Sequence, residues 1–289
     1  MKTTAGDRIF YIIVYGSLAC IALTCLLPLL HIAALSLSNP HDILSGRVSL
    51  WPVGWNLDAY RSMIIGTRVP SALWNSVVIT GVGTALSLAA TILTAYPLSR
   101  RQLPYRRWLT LAAVFTMMFT GGIIPTYLVV KELGLINSYW ALWLQGLVNT
   151  YNMLVMRTYF EQIPSELEEA AKMDGCGQWR QLIAVVLPLS KPVLATIGLF
   201  YAVSYWNLFM NVLIYLNNAA KYNLTVLVQQ MIQNQQLLQE LVLSGVEVDT
   251  VPESLKAASV IVMIAPMLAV YPLLQKYFVK GVMLGAVKG

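Results

Sequence analysis

Charge is scarce in this 289-residue chain. Only 11% of its residues are Asp, Glu, Lys or Arg, against about 25% in soluble globular domains, and an ordinary soluble fold is excluded on that ground. Cysteine is sparse as well: Cys20, Cys25 and Cys176 lie far apart in sequence or in different predicted compartments, so they define neither a disulfide framework nor a zinc ligand set. The two histidines, His31 and His41, form no HExxH pair, and no GxxxxGK[ST] phosphate loop occurs. The chain therefore cannot hydrolyse ATP alone, and neither catalytic residues nor a bound metal or cofactor are expected on it.

Apolar residues fill the space: 57% of the sequence, with a mean hydropathy of +0.65. They fall into blocks of about twenty, the length that crosses ~30 Å of hydrocarbon at ~1.5 Å per residue. Six helices are expected at about 10–37, 71–98, 108–130, 139–156, 192–215 and 257–279. The first follows Lys2 and Arg8 as a signal peptide would, but it runs on to Leu37, far beyond a 7–15-residue h-region. It is read as a retained anchor.

Six spans put both termini on one side, and Lys/Arg bias decides which. The segments 1–9, 99–107, 157–191 and 280–289 hold twelve of the nineteen basic residues, against six in the opposite segments. Both termini are expected in the cytoplasm. The loop Arg100-Arg101-Gln102-Leu103-Pro104-Tyr105-Arg106-Arg107 gives the strongest local signal. The net charge of +6 reflects this topology rather than a nucleic-acid partner.

Acidic residues are absent from every predicted span. Pumps and secondary transporters commonly relay ions through intramembrane carboxylates or histidines, and here only His31, near a helix end, is available. The driving energy is therefore expected from another subunit. An ion-coupled secondary carrier remains the alternative, because such carriers can use backbone carbonyls instead.

One predicted cytoplasmic segment, 157–191, differs from the short basic loops around it in carrying five acids and four bases. Pro164-Ser165-Glu166-Leu167-Glu168 offers Ser165 as N-cap with Glu168 three residues on, a capping box opening a helix to about Met173. Asp174-Gly175 breaks it. A second helix is expected from Gln178 to Val186, with Trp179, Leu182, Ile183 and Val186 as an apolar stripe, before Pro188 and Pro192 introduce the fifth span. Leu167, Ala170 and Ala171 form a small-residue face suited to docking in a partner's groove. Spacing alone equally allows a loop packed on its own bundle.

Glu169-Ala170-Ala171-Lys172-Met173-Asp174-Gly175, with Val186-Leu187-Pro188 downstream, resembles the EAA loop of permease subunits in binding-protein-dependent ABC importers. The resemblance implies a coupling helix gripped by the ATPase, with Glu168, Glu169, Ala170, Ala171, Asp174 and Gly175 as coupling residues. It also implies a second homologous permease, two cytoplasmic ATP-binding subunits that use ATP and Mg, and an extracytoplasmic solute-binding protein. Cys176-Gly177 departs from the alanine and polar residue common in relatives. The six-helix layout and the ending Gln275-Lys276-Tyr277-Phe278-Val279-Lys280-Gly281-Val282 through Val287-Lys288-Gly289 are similar to the smaller permease of carbohydrate importers such as the maltose system. Phe119-Thr120-Gly121-Gly122-Ile123-Ile124-Pro125-Thr126-Tyr127-Leu128, followed by Leu133-Gly134-Leu135-Ile136-Asn137, looks like the subgroup importing uronate-bearing oligosaccharides or alginate.

The expected fold class is thus all-α: a six-span membrane protein with a cytoplasmic helix-turn-helix coupling loop. An anchor and external segment (1–70) would precede the permease core (71–279), and a cytoplasmic tail (280–289) would follow. Gly121, Gly122 and Pro125 weaken or bend the third helix, either at a translocation path or for helix packing. In the fourth, Gln145, Asn149 and Asn152 recur at i, i+4 and i+7; in the fifth, Ser204, Asn207 and Asn211 recur at i, i+3 and i+7. With Tyr201, Tyr205 and Trp206 beside them, these stripes are candidates for lining a sugar passage. Interhelical hydrogen bonding is the alternative use of such amides. Outside, Trp51, Trp55 and Tyr60 and an amphipathic helix from Val226 to Leu243 are expected to face the binding protein. Arg47, Arg61, Arg68, Lys131 and Lys221 would attract an acidic glycan, but six external bases face seven external acids, so scattered solvated charges are the simpler reading.

Overall fold

Residues 5–243 and 253–286 are described by a computed structural model. They form fifteen α-helices and no strand among the described residues. Long apolar runs produce the long helices. α1 (Ala5–Ser36) and α4 (Val69–Ser99) have 32 and 31 residues, as their uninterrupted apolar sequence dictates. α2 (Pro40–Leu44) and α3 (Asp58–Gly66) follow α1.

The third span is broken, as its glycines require. α5 (Arg106–Met118) and α6 (Ile123–Glu132) turn by 113° at the break. Gly122 lies there at φ +82°, the left-handed region that favours glycine. Pro125 sits in the first turn of α6, where its missing N–H leaves no bond unmade.

The fourth and fifth spans differ from the continuous helices expected. The fourth is α7 (Trp140–Gln145) and α8 (Thr150–Glu161). Asn149 starts α8 by accepting the Asn152 N–H at 3.1 Å, because an Asn cap satisfies an orphan donor that a continuing helix would bond to backbone. α9 (Ser165–Met173) and α10 (Gln178–Gln181) follow. A π-turn over Leu182–Val186 leads into α11 (Leu187–Leu189) and, after an 84° bend, α12 (Lys191–Trp206). α13 (Met210–Tyr215) lies beyond a second break. The amphipathic segment expected outside is α14 (Leu224–Leu243). α15 (Glu253–Ala286) runs 34 residues, past the end expected at 279; Val287-Lys288-Gly289 lie outside the described residues.

By length and composition three helices among the described residues can cross a membrane, or five if each bent pair counts as one span. The expected fourth span is not in that count, because a break divides it into α7 and α8, of 6 and 12 residues.

Two compact units result. The first comprises 1–70 and 228–265. In it Ala34, Ile43 and Val48 form a small core, His31 Nδ1 lies 2.6 Å from Ser49 O, and the Tyr60 hydroxyl donates to Ser36 Oγ at 2.9 Å. The second comprises 71–227 and 266–289. Ile79, Leu142, Met156, Phe160 and Ile197 are fully buried at its centre.

Candidate functional site

The candidate site lies in the second unit, on α9 and the turn after it. α9 begins one residue earlier than the predicted capping box requires, with Ser165 already its first helical residue. Pro164 is the N-cap residue, and its own side chain makes no capping bond. Glu168 pairs instead with Arg100 Nη1, just beyond the end of α4.

The far end of α9 is closed firmly. The Gly175 N–H donates to Lys172 O at 3.0 Å and the Cys176 N–H to Ala171 O at 2.9 Å, with Gly175 at φ +74°. This double bond pattern is the Schellman motif, which satisfies helix-end carbonyls and needs a left-handed residue at this glycine. Cys176 supplies the second N–H, so the departure from the family pattern leaves the turn intact.

α9 is thereby split by face. Glu166, Leu167, Glu169, Ala170, Met173 and Asp174 are exposed, while Ala171 is buried and Glu168 faces inward. The small-residue face expected from Leu167, Ala170 and Ala171 is corrected accordingly: Ala171 packs on its own bundle and the other two do not. The second stripe also divides. Leu182 and Val186 are buried, whereas Trp179 and Ile183 are exposed. The Leu187 N–H reaches back five residues to Leu182 O, and this wider turn rotates the helix out of the 3.6-residue register on which the stripe was predicted. Pro188, which offers no N–H to the ladder, follows at once.

Beside α9 lies a cavity of about 1170 Å³, lined among others by Arg100, Arg106, Glu161, Glu168, Trp179 and Gln181. Arg106 and Arg157 converge on Glu161, the latter at 2.9 Å, and Arg106 Nε also donates to Leu98 O at 2.8 Å. Arg100 lies over the Tyr96 ring, 4.3 Å from its centroid. Burial pushes the Arg100 guanidinium below its usual pKa, with Tyr96 opposing the shift; an arginine so placed stays charged at physiological pH. These pairs were missed in the sequence because the arginines of 99–107 were read only as a topology signal. Five acids in 157–174 facing four arginines in 99–107 were the available clue.

The passage candidates do not form two continuous stripes. Gln145 ends α7 and donates to Ala141 O at 2.7 Å, Asn149 caps α8, and both are exposed while Asn152 is buried. Their i, i+4, i+7 spacing presupposed one helix, which the break at 146–149 removes. Ser204 and Asn207 are exposed, Asn207 as the C-cap of α12, and Asn211 stands half-buried on α13.

Tyr201, Tyr205 and Trp206 are buried. The Tyr201 hydroxyl accepts the Asn149 N–H at 2.9 Å and bonds Thr91 Oγ1 at 2.7 Å. The Tyr205 hydroxyl lies 2.9 Å from Ser87 Oγ and 3.3 Å from Trp143 O. In this conformation the two tyrosines brace the break between α7 and α8.

Long apolar helices, some of them broken, define a helical membrane component. The chain belongs to the family of binding-protein-dependent transport system inner membrane components, whose model matches residues 60–284. It is accordingly a multi-pass membrane permease component of ABC importers and not itself an enzyme. It is 43% identical to the polygalacturonan/rhamnogalacturonan transport system permease protein YtcP of Bacillus subtilis, covering 98% of this chain and 99% of that protein. Protein LplC of the same organism is 39% identical over 100% of this chain and 98% of its own. Among solved structures, a bacterial ABC transporter involved in import of the acidic polysaccharide alginate matches at TM-score 0.87 and 32% identity, covering 96% of this chain and 99% of that one. The ion-coupled carrier gains no support from these likenesses.

Proposed function

We propose that the chain is one of two homologous permease subunits of an ATP-driven importer, passing uronate-bearing oligo- or polysaccharide from an extracytoplasmic binding protein to the cytoplasm by alternating access. The observation that carries this reading is α9, with Glu169 and Ala170 outward and its C-terminal turn fixed at Gly175. That is the geometry of a rigid knob for a cleft, presented here to two cytoplasmic ATP-binding subunits that use ATP and Mg. Closure of those subunits would displace residues 168–175 and switch the cavity above between its two facings. Both termini then lie in the cytoplasm. The uronate assignment draws on the substrates named for the pectic relative and the alginate importer.

Sugar contact is assigned to the exposed polar groups at the helix breaks, Gln145, Asn149, Ser204 and Asn207. Polar side chains within spans avoid lipid and face protein or water. Asn152, Asn211 and the three aromatics stand behind them. The exposed Trp51 and Trp55 of the first unit are the surface assigned to the binding protein. The test is uptake into vesicles by the complete complex with its binding protein, comparing neutral with uronate oligosaccharides. ATP-dependent accumulation of uronates is expected. Equal uptake of neutral sugars would refute the substrate assignment, and uptake without ATP would refute the importer.

A further inference from the structure

The two neighbouring acids of the coupling motif face opposite ways, and that division carries a consequence for how force leaves the lever. Glu169 is exposed. Glu168 has a side chain only 13% exposed and pairs with Arg100, itself 21% exposed. Arg100 is fixed in turn. It follows directly on α4, its N–H donates to Pro97 O at 3.0 Å, and its guanidinium lies on Tyr96, in the last turn of that helix. The Tyr96 hydroxyl donates to Gln178 Oε1 on α10 at 3.4 Å. One end of α4 therefore holds both arms of the helix-turn-helix through polar contacts. The cavity of about 1170 Å³ opens beside these contacts, so close packing does not fill the space between α9 and α4.

The helix α4 continues to the residues assigned to sugar. Thr91 and Ser87 on α4 bond Tyr201 and Tyr205 of α12. Tyr201 holds the Asn149 N–H, and Ser87 donates to Gly146 O at 3.0 Å. Both ends of the α7–α8 break are thus tied to α4, one directly and one through a tyrosine.

We propose that the Arg100–Glu168 ion pair, seated on Tyr96, is the positioning link that carries displacement of α9 into α4 and from there to the helix breaks. Glu168 thus faces the membrane domain while Glu169 faces the motor. The proposal rests on the importer reading above. A chain of contacts alone does not demonstrate coupling, so the test is a charge exchange. The assembled complex, with ATPases, second permease and binding protein, is reconstituted in vesicles carrying E168Q, R100E, E168R or the R100E/E168R double variant. Uronate taken up per ATP hydrolysed is measured, and copurification of the ATP-binding subunits is scored.

E168Q, nearly isosteric, is expected to copurify with its partners and to lose roughly tenfold in uptake per ATP, in the range that packed side-chain networks couple. Both single reversals should fall further, and the double variant should recover most of the loss. An unchanged ratio in E168Q overturns the link, as does a double variant no better than either reversal. Loss of copurification in E168Q also overturns it, by making the pair an assembly contact. Failure of the unmodified complex to take up uronate with ATP refutes the importer reading instead, so the two are told apart.

Discussion

Gly175 gives the sharpest handle on the lever, because its surroundings separate backbone strain from crowding. A Cβ built there meets nothing within 4 Å, so any cost of substitution comes from φ +74° alone. An L-residue in this region costs about 1–2 kcal/mol, less for Asn, whose side chain tolerates it. Proline cannot reach positive φ and also removes the N–H that holds Lys172 O, so about 3 kcal/mol or more is lost. At ~1.4 kcal/mol per factor of ten, Gly175→Asn should weaken the closed turn severalfold at most and Gly175→Ala about tenfold. Gly175→Pro should abolish it. ATP-driven uptake by vesicles with equal amounts of inserted permease should follow the order Gly, Asn, Ala, Pro. Undiminished uptake in the proline variant would refute the lever. An alanine variant outperforming asparagine would refute the strain argument while leaving the lever standing.

The remaining predictions concern the helix breaks. Tyr201→Phe deletes the acceptor for the Asn149 N–H and the partner of buried Thr91; it should cost about 1–3 kcal/mol in detergent unfolding without changing sugar preference, and altered preference at unchanged stability would contradict the bracing role. Asn149→Ala should cost about 1 kcal/mol through the lost cap, while Asn149→Asp keeps it; equal stability of the two would show that the cap is not what starts α8. A Cβ at Gly146 would lie 2.7 Å from the Tyr205 hydroxyl oxygen, and one at Gly83 would lie 2.9 Å from Tyr205 ring carbons. Tyr205→Phe should therefore partly restore expression and folding to Gly146→Ala but not to Gly83→Ala, and rescue of both or neither would refute the geometry.

Apolar run length made α1 and α4 legible, since neither Pro28 in the one nor Pro97 in the other ends the helix. Gly121 and Gly122 likewise announced the break between α5 and α6. The breaks after Gln145 and Trp206 were hidden by the same residues that cause them. Asn149 and Asn207 satisfy a helical spacing on paper, yet an amide that can cap or end a helix competes with the backbone ladder, and near Gly146 it wins. A periodic amide series in an apolar span is therefore ambiguous between a polar face and a chain of caps. Gly146, three residues before Asn149, tips the first of these breaks; no glycine lies that close to Asn207.

The coupling motif shows the complementary limit. Its turn was readable, since Asp174-Gly175 is local chemistry. The direction of Glu168 was not, because its partner is 68 residues away and Arg100 had already been given a use as a topology signal. A charge that orients a chain in the membrane still needs a counter-charge once partly buried, since an uncompensated ion costs several kcal/mol. Arg100 and Arg106, partly buried at the α4–α5 connection, therefore called for acids somewhere in the fold, and the only acid-rich segment on their side of the predicted topology was the one that carries the lever. Read that way, the topology signal and the coupling motif are two halves of one electrostatic arrangement, and the exchange of Arg100 with Glu168 tests both.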